Sequence, residues 1–246
     1  MTRVRRHGVT CALPLALLAA GCMTETPPPS DTPVPGTLRV LALGDSYTIG
    51  EGVDDAERWP VRLAAALRAE GIPVADPEII ATTGWTVAEL DAGIDVAQPA
   101  GPYALVTLLI GVNDQYRGGD AGAYRTAFRA MLARATGFAG GDARRVVVVS
   151  IPDWSVTPFA AARDRAQIAS AIDAFNTAAQ AEAQAAGARW ADVTAVSRET
   201  GAVEVAPDGL HPSGAQYALW TGIVLPHARA ALADETQRAG FHPRSQ

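Results

Sequence analysis

Four short polar stretches hold the side chains of this sequence that could do chemistry. They are Gly44-Asp45-Ser46, Gly84 with its neighbours, Gly111-Val112-Asn113-Asp114 and Asp208-Gly209-Leu210-His211. A serine hydroxyl is a poor nucleophile at neutral pH and needs a base in contact with it. A histidine can take that proton and return it to a leaving group, and an aspartate can fix the histidine tautomer. The chain therefore contains the residue types that nucleophilic catalysis by serine requires.

His211 is the best base available by elimination. His7 lies in an N-terminal targeting segment and His242 in a polar tail. His227 follows a proline and has no aspartate shortly before it, whereas Asp208 precedes His211 by three residues. No histidine and carboxylate cluster has the spacing of metal ligands, so we expect no metal.

Each stretch also has an interpretation without chemistry. Gly44-Asp45-Ser46 is compatible with a turn that only caps a helix, which is the better interpretation of that stretch taken alone. Asp45 is expected to brace its own turn by bonding nearby backbone, and Asp114 to close a loop. His211 could be a surface histidine before Pro212. The catalytic interpretation therefore depends on the stretches occurring together.

The elements that must position these residues alternate along the chain. Five apolar runs predict strands, at Leu38–Leu43, Pro73–Ala81, Tyr103–Ile110, Arg145–Ile151 and Arg189–Val193. Apolar residues at helical spacing lie between them, beginning with a predicted helix over Trp59–Ala69. This alternation predicts a parallel sheet with helices on both faces, without an internal repeat or a second domain.

Helix-capping and helix-terminating residues mark where several helices begin and end. Thr86-Val87-Ala88-Glu89 and Ser213-Gly214-Ala215-Gln216 both resemble capping boxes. Gly187 should end the helix before the fifth strand, and Pro226 should kink or end the last helix. The predicted domain spans residues 37–233, and residues 234–246 are predicted to be a polar tail.

Residues 1–21 are predicted to be a targeting segment. A basic start precedes the apolar run Val9–Ala20, which is too short for a good membrane-spanning helix. The run closes on Leu18-Ala19-Ala20-Gly21-Cys22, which resembles the lipobox of bacterial lipoprotein signal peptides, although Ala19 stands where leucine is most common. The resemblance implies cleavage before Cys22, lipidation of that cysteine and an exported domain tethered to the bacterial membrane. The alternative is an ordinary secretory peptide with an incidental cysteine.

Composition limits the remaining classes of function. Residues 22–36 are rich in Thr, Pro and Ser and predict an extended spacer. Both cysteines, Cys11 and Cys22, precede residue 37, so the domain has no disulfide and no thiol nucleophile. The net charge of -6 gives no electrostatic basis for binding nucleic acid. The sequence does not indicate an oligomeric state.

Taken together, the four stretches resemble the SGNH hydrolases, also called the GDSL esterase/lipase family. They occur in the order of the family, and the resemblance spans Leu38–Leu225. It implies an α/β fold, a three-layer α/β/α sandwich whose five-stranded parallel sheet has the flavodoxin-like order. It also implies a serine esterase that acts on a small ester without a cofactor.

The resemblance assigns a role to each matching residue. Ser46 is the nucleophile, His211 the base and Asp208 the carboxylate that orients it, with Asp192 as a rival that is distant in sequence. A tetrahedral intermediate carries negative charge on the former carbonyl oxygen, and donors aimed at that oxygen lower the barrier. The resemblance implies three such donors, namely the backbone N–H groups of Ser46 and Gly84 and the side-chain amide of Asn113.

The sequence departs from the family pattern at two places. Tyr47 replaces the leucine of the GDSL name, at a position that need not touch the reacting atoms. The second block, Thr82-Thr83-Gly84-Trp85, is a loose match. We assign Gly84 to the oxyanion hole because its flexible backbone can present an N–H to a ligand.

Four aromatic residues follow predicted strands by a few residues, namely Tyr47, Trp85, Tyr116 and Trp154. Their rings could form a shallow substrate-binding platform for a sugar ring or a compact acyl or alcohol group, or they could seal the core beneath the loops. No long apolar insertion is present to form a lid or an acyl tunnel. We therefore expect short acyl esters such as acetyl or butyryl, including acetylated carbohydrate. The alternatives are a lysophospholipase or thioesterase for long acyl chains, and a binding lipoprotein that keeps the fold without the activity.

Overall fold

The computed structural model describes residues 36–200 and 203–238. The predicted signal peptide at residues 1–21, the lipidated Cys22 and the spacer as far as residue 35 lie outside the described residues. Residues 239–246 of the predicted tail lie outside them as well.

The centre of the described chain is one five-stranded parallel sheet. Its strands are β1 (Val40–Gly44), β2 (Glu78–Ala81), β3 (Leu105–Leu109), β4 (Val146–Val149) and β5 (Arg189–Ala191). They lie in the order β2-β1-β3-β4-β5, with every pair parallel. Every residue of β1, β3 and β4 is buried, which explains their unbroken apolar runs. The predicted flavodoxin-like sheet is confirmed.

The second strand is shorter than the predicted run Pro73–Ala81. Only Glu78–Ala81 forms a ladder with β1, and Val74 makes an isolated parallel bridge with Leu38. Pro77 lies between these two pairings and has no N–H to donate, so it interrupts the ladder.

Eight α-helices accompany the sheet in the described residues. They are α1 (Ser46–Ile49), α2 (Trp59–Ala69), α3 (Val87–Ala97), α4 (Val112–Tyr116), α5 (Ala121–Phe138), α6 (Arg165–Ala186), α7 (Thr194–Thr200) and α8 (Gly214–Arg238). The bounds of α2 match the prediction, Thr86 and Glu89 form the predicted capping box, and Gly187 ends α6 in a left-handed conformation. No helix in the described part of the chain is long and apolar enough to cross a membrane.

The strand order sets the two helical layers. Connections between parallel strands are right-handed, so the helix layer changes face where the strand order reverses. That reversal is at β1: α2 leads outward to β2, whereas α3, α5 and α6 lead in the other direction. Accordingly, α5 packs against α3 and α6, while α2 packs against α8. The reversal opens a crevice beyond the carboxyl ends of β1 and β3, which is the usual ligand position in such sheets.

The last helix differs from its prediction in three ways. Pro226 does not end α8, which continues to Arg238. The packing of α8 against α2 compensates for the hydrogen bond that the proline cannot donate. Residues 234–238, assigned above to a polar tail, are therefore helical, and they include Glu, Gln and Arg, which are good helix formers. Ser213 caps the Gln216 N–H at 3.2 Å, but the Gln216 side chain bonds Thr200 instead of completing the capping box.

Candidate active site

Ser46 stands at the sharp exit of β1. Gly44, the last residue of the strand, has no room for a side chain, because a Cβ there would lie 2.5 Å from the Leu109 carbonyl oxygen and would overlap the Thr48 side chain. The missing side chain lets the backbone turn directly into α1, of which Ser46 is the first residue. Ser46 is 5% exposed and lines an open cavity at this edge of the sheet.

Asp45 braces the turn that presents Ser46. Its Oδ1 accepts a hydrogen bond from the Tyr47 backbone N–H at 3.0 Å, which caps α1. Its Oδ2 is buried without a hydrogen-bond partner among the described residues. Burial raises the pKa of Asp45 to about 8 despite the Tyr47 hydrogen bond, and the charge of Asp114 adds to the rise. Asp45 is therefore largely protonated at neutral pH, and its contacts are those of a structural brace.

The candidate base is held by its own turn. Asp208 Oδ2 lies 2.5 Å from His211 Nδ1, and Asp208 Oδ1 accepts the backbone N–H groups of Leu210 at 2.8 Å and His211 at 3.0 Å. The loop is closed further by the Ala206 N–H, which donates to the His211 carbonyl at 2.7 Å. Asp208 thus engages Nδ1 and leaves Nε2 as the nitrogen for proton transfer.

The electrostatics of this pair favour a charged carboxylate. Partial burial by itself would raise the pKa of Asp208, but hydrogen bonds from the His211 ring and from two backbone N–H groups outweigh burial and lower it. Ser46 and His211 line the same cavity without a direct hydrogen bond between them in the described structure. Such bonds are often long in an unliganded enzyme and shorten when substrate binds.

Tyr47 supports the base from behind. Its ring meets the His211 ring edge to face, with centroids 5.7 Å apart, and lies 6.0 Å from the Trp220 ring of α8. Tyr47 is buried, and its carbonyl accepts a hydrogen bond from Trp59 Nε1 at 3.1 Å. The sequence analysis offered two roles for this ring, a substrate platform and a seal over the core. Because Tyr47 is buried, it mainly seals the core, but it also lines the Ser46 cavity.

Asp192, the rival carboxylate, is engaged elsewhere. Its Oδ1 accepts the Thr194 backbone N–H at 2.8 Å and the Ser150 hydroxyl at 3.1 Å, just before α7 begins. The structure therefore pairs His211 with Asp208, and Asp192 joins the end of β5 to the loop after β4.

The loop after β2 is held by side chains from α4 and the residue after it. We call residues 82–86 the Gly84 loop. Asn113 Nδ2 donates to the Trp85 carbonyl at 2.9 Å, and Arg117 donates to the Gly84 carbonyl at 2.7 Å. Asp114 Oδ2 accepts the Val87 backbone N–H at 3.0 Å, so Asp114 ties α3 to α4. Three side chains of one short segment therefore fix the position of this loop.

The residues of the three candidate oxyanion donors line the cavity. Gly84 has a φ of +88°, a conformation that favours glycine, and lines the cavity together with Ser46 and Asn113. The Asn113 amide carries two N–H groups, and the bond to Trp85 uses one of them. The second N–H, with the backbone N–H groups of Ser46 and Gly84, can serve an oxyanion.

The space between these groups, which we call the Ser46 cavity, has a volume of about 210 Å³. It is lined by Ser46, Tyr47, Thr83, Gly84, Val112, Asn113, Tyr116, Trp154, Phe159, Leu210 and His211. Pockets that enclose a drug-sized ligand measure roughly 300–1,000 Å³. The cavity is therefore suited to a compact group beside the serine.

Three of the predicted rim aromatics, Tyr47, Tyr116 and Trp154, line this cavity, and Phe159 joins them. The Tyr116 ring lies 5.6 Å from the Trp154 ring and 6.3 Å from the Phe159 ring. Trp154 is buried and donates from Nε1 to the Gln115 side chain at 2.9 Å. Phe159 escaped the sequence analysis, although it follows the same strand as Trp154 and sits in the turn opened by Pro158.

Trp85 is separated from the other predicted rim residues. Its ring lies directly against Gly93 of α3, where a Cβ would overlap it, and lines a different surface hollow beside β2. Only its backbone carbonyl takes part in the site, as the acceptor for Asn113. The chain reverses at Gly84, and this reversal turns the side chain of the next residue away from the Ser46 cavity.

Within the described residues, no group of three or more His, Cys, Asp or Glu side chains is arranged to hold a metal ion. The groups that line the Ser46 cavity include a hydroxyl, an imidazole oriented by a carboxylate, and an amide. A hydroxyl in one cavity with an oriented imidazole and candidate oxyanion donors can carry out acyl transfer.

A family model matches most of the chain. The GDSL-like Lipase/Acylhydrolase family matches residues 42–219, which include all four polar stretches. A comparison with curated proteins finds no match.

Solved structures share the fold. TesA is 22% identical with a TM-score of 0.64, covering 79% of this chain and 99% of its own. The lipase/acylhydrolase from Enterococcus faecalis is 17% identical with a TM-score of 0.60, covering 85% and 100%. The psychrotrophic esterase EstA from Pseudoalteromonas sp., solved with inhibition by monoethylphosphonate, is 17% identical with a TM-score of 0.52, covering 83% and 99%. At these identities the likeness is one of fold.

Proposed function

The chain belongs to the GDSL-like lipase/acylhydrolase family and is a serine hydrolase, and we propose that it cleaves carboxylic esters of short acyl chains through an acyl-enzyme on Ser46. The observation that carries this proposal is one cavity that brings together Ser46, the Asp208-oriented His211 and the candidate donors Gly84 and Asn113.

The proposed reaction has two halves. His211 Nε2 takes the Ser46 proton as Oγ attacks the ester carbonyl, and the oxyanion is held by the N–H groups of Ser46, Gly84 and Asn113. His211 then returns the proton to the leaving alcohol as the acyl-enzyme forms. In the second half water attacks the acyl carbonyl, His211 takes the proton from the water and returns it to Ser46, and the carboxylic acid leaves. Asp208 stabilises the imidazolium in both halves.

The size of the Ser46 cavity supports a short acyl group such as acetyl or butyryl. Its 210 Å³ leaves little room beyond the reacting ester. A longer chain would remain in water and gain little of the roughly 0.8 kcal/mol that each buried methylene contributes. An acetylated carbohydrate is compatible with the exposed ring of Tyr116 at the rim.

One observation favours the second candidate, a lysophospholipase or thioesterase for long acyl chains. A hollow of about 540 Å³ lies between β2 and α3, and it is lined mainly by apolar side chains, including Ile79, Trp85 and Val96. We call it the Trp85 hollow. Val96 is 86% exposed, and Thr82 and Trp85 of the Gly84 loop line the hollow. A long acyl chain that passed Gly84 would find apolar surface there.

Nucleophile and substrate are tested together. Ser46→Ala should abolish hydrolysis of p-nitrophenyl acetate while far-UV circular dichroism stays unchanged, and an organophosphonate probe should label Ser46 in the parent protein. Ser155→Ala, a change at another buried serine outside the cavity, is the matched control and should label normally. Parent-level kcat in the Ser46→Ala variant rejects the mechanism, and failure of the parent to label favours a binding lipoprotein without activity.

Acyl length is tested with acetyl, butyryl, octanoyl and palmitoyl esters of one alcohol. We expect kcat/KM to fall beyond butyryl. A steady rise towards palmitoyl rejects the short-chain proposal and favours the second candidate. In that case Val96→Asp, an exposed change in the Trp85 hollow, should lower kcat/KM for octanoyl esters and leave acetyl esters unaffected.

We also propose export with a lipid anchor at Cys22, which would place the esterase at the bacterial membrane, facing outward from the cytoplasm. The support is the lipobox-like Leu18–Cys22 run followed by a proline-rich spacer. Cys22→Ser should impair processing and membrane attachment. Intact-mass analysis of the mature protein is the measurement, and a different N-terminal residue without an acyl mass rejects the proposal.

A further inference from the structure

Arg163 lies over the aromatic side of the Ser46 cavity. Its guanidinium carbon is 5.1 Å from the Tyr116 ring centroid, 5.5 Å from that of Trp154 and 5.0 Å from that of Phe159. One of its N–H groups donates to the Tyr116 hydroxyl at 3.0 Å. Three rings and one hydrogen bond therefore hold this exposed cation in a defined place.

The described residues leave the charge of Arg163 without a counter-charge. No carboxylate of the described residues lies within ion-pair distance of its guanidinium, whereas nearby Arg117 pairs with Glu89 at 3.2 Å. The adjacent Asp164 is turned towards α6, where its Oδ1 accepts the Gln167 backbone N–H at 3.0 Å. Contacts with rings and a phenol leave the guanidinium with N–H donors for a ligand.

A polar hollow opens beneath Arg163 and shares a wall with the Ser46 cavity. It has a volume of about 410 Å³ and is lined by Gln115, Tyr116, Gly118, Gly119, Trp154, Arg163, Asp164, Gln167, Ile168 and Ala171. We call it the Arg163 hollow. Tyr116 and Trp154 line both spaces. A substrate whose ester lies at Ser46 can therefore extend across Tyr116, whose ring is 47% exposed, into this hollow.

We propose that the Arg163 hollow binds an anionic group, a carboxylate or a phosphate, on the alcohol part of the ester substrate. This inference rests on the proposed function, because a short acyl group at Ser46 leaves only the alcohol part to reach the hollow. A guanidinium binds carboxylate and phosphate through paired N–H donors, and the rings beneath it keep its orientation fixed. The net charge of -6 repels anions in general, so attraction of an anionic ester requires a local cation.

The test uses matched acetyl esters with the same aromatic ring. The anionic probes are the acetyl esters of 4-hydroxybenzoate and of 4-hydroxyphenyl phosphate, and the neutral probe is the acetyl ester of 4-hydroxybenzamide. The quantity compared is the ratio of kcat/KM for an anionic ester to that for the neutral ester. Comparing this ratio between the parent protein and a variant cancels the intrinsic reactivity of each ester.

Arg163→Met should lower the ratio about tenfold, since a hydrogen bond to a charged group contributes roughly that factor. Arg163→Lys should retain only part of it, because the charge remains but the paired N–H donors and the ring contacts are lost, and added salt should lower it in the parent protein. Arg165→Met is the matched control, because Arg165 is exposed and nearby but does not line the hollow. The carboxylate and phosphate probes show which anion the hollow prefers.

The inference is overturned if Arg163→Met leaves the ratio unchanged or if salt does not affect the ratio of the parent protein. In either case, hydrolysis of the neutral ester leaves the proposed function intact. If no ester is hydrolysed, the proposed function fails, and calorimetry of the unreacted esters decides the inference separately. Preferential binding of the anionic ester that depends on Arg163 then supports the hollow, and equal affinity for both esters rejects it.

Discussion

His211 receives its orientation from Asp208, three residues earlier in the same turn, whereas the Gly84 loop is held by side chains that follow it by many residues. The contacts of Asp208 with Leu210 and His211 are all within one loop. The bonds from Asn113 and Arg117 to the Gly84 loop join residues 28 and 33 positions apart. The turn of Asp208 and His211 is thus a local structure. The Gly84 loop takes its position only when β2, β3 and the segments that follow them are in place.

The difference predicts how each half responds to mutation. The catalytic contribution of the local turn depends on two residues, Asp208 and His211. A single change at either should therefore remove nearly all of that contribution to kcat. A loop held by several distant side chains shares its support among them, so a change in one should weaken catalysis in steps.

His211→Ala should lower kcat by about 10⁴-fold or more, and the double variant with Ser46→Ala should be scarcely worse, because nucleophile and base act as a unit. The measurement is kcat on p-nitrophenyl acetate. His227→Ala on α8 is the matched control and should keep parent activity. Comparable losses in the two histidine variants contradict the assignment of the base.

Asp208→Ala should lower kcat by about 10³-fold, since the residue orients His211 and stabilises its charged form without transferring a proton. Asp192→Ala should retain kcat and lower Tm, because it loses the bond that caps α7. The two variants are compared by kcat and by thermal unfolding. The reverse pattern, a silent Asp208→Ala with a crippled Asp192→Ala, would falsify the pairing.

Arg117→Met should lower kcat by about tenfold with little change in KM, because a displaced Gly84 N–H would stabilise the transition state less. Complete loss of an oxyanion donor lowers kcat by about 10²- to 10³-fold, so a displacement should cost less than that. The variant loses the bond to the Gly84 carbonyl and the ion pair with Glu89. Arg125→Met, which breaks an ion pair between α5 and Glu182 of α6, is the control. A rise in KM alone shows that Arg117 supports substrate binding instead.

Asp45→Asn should keep kcat near the parent value and alter how stability depends on pH. The folded pKa of about 8 lies above the ordinary aspartate pKa of 3.8, so between these values the folded protein binds more protons than the unfolded chain. Its free energy of unfolding then falls as pH rises. The variant lacks this dependence, so its stability relative to the parent should improve by about 1 kcal/mol from pH 6 to pH 7. Urea unfolding at both pH values measures the effect, and parallel changes in the two proteins contradict it.

The same contrast explains how much the sequence could predict. Asp208 and His211 were identified because a carboxylate three residues before a histidine is a local pattern. The bounds of α2 and the Thr86–Glu89 capping box were correct for the same reason. The parallel sheet followed from the alternation of strands and helices, which reports burial on both faces of each strand.

What the sequence analysis missed depends on contacts between distant segments. The direction of the Trp85 ring is set by the turn at Gly84 and by the open surface above Gly93 of α3. Phe159 lines the cavity because Pro158 starts a tight turn that returns the chain towards Tyr116. The continuation of α8 beyond Pro226 depends on its packing against α2. No local pattern of residues carries this information.

The order of the strands also has a consequence for how the site is completed. Ser46 follows the first strand of the described residues, the last strand ends at Ala191, and His211 comes after it, immediately before α8 packs onto α2. The whole sheet, with the nucleophile in place, therefore lies on the N-terminal side of the base. Activity requires α8 to join the helical layer that holds α2, the first long helix. Catalytic turnover thus reports that the two ends of the domain have met.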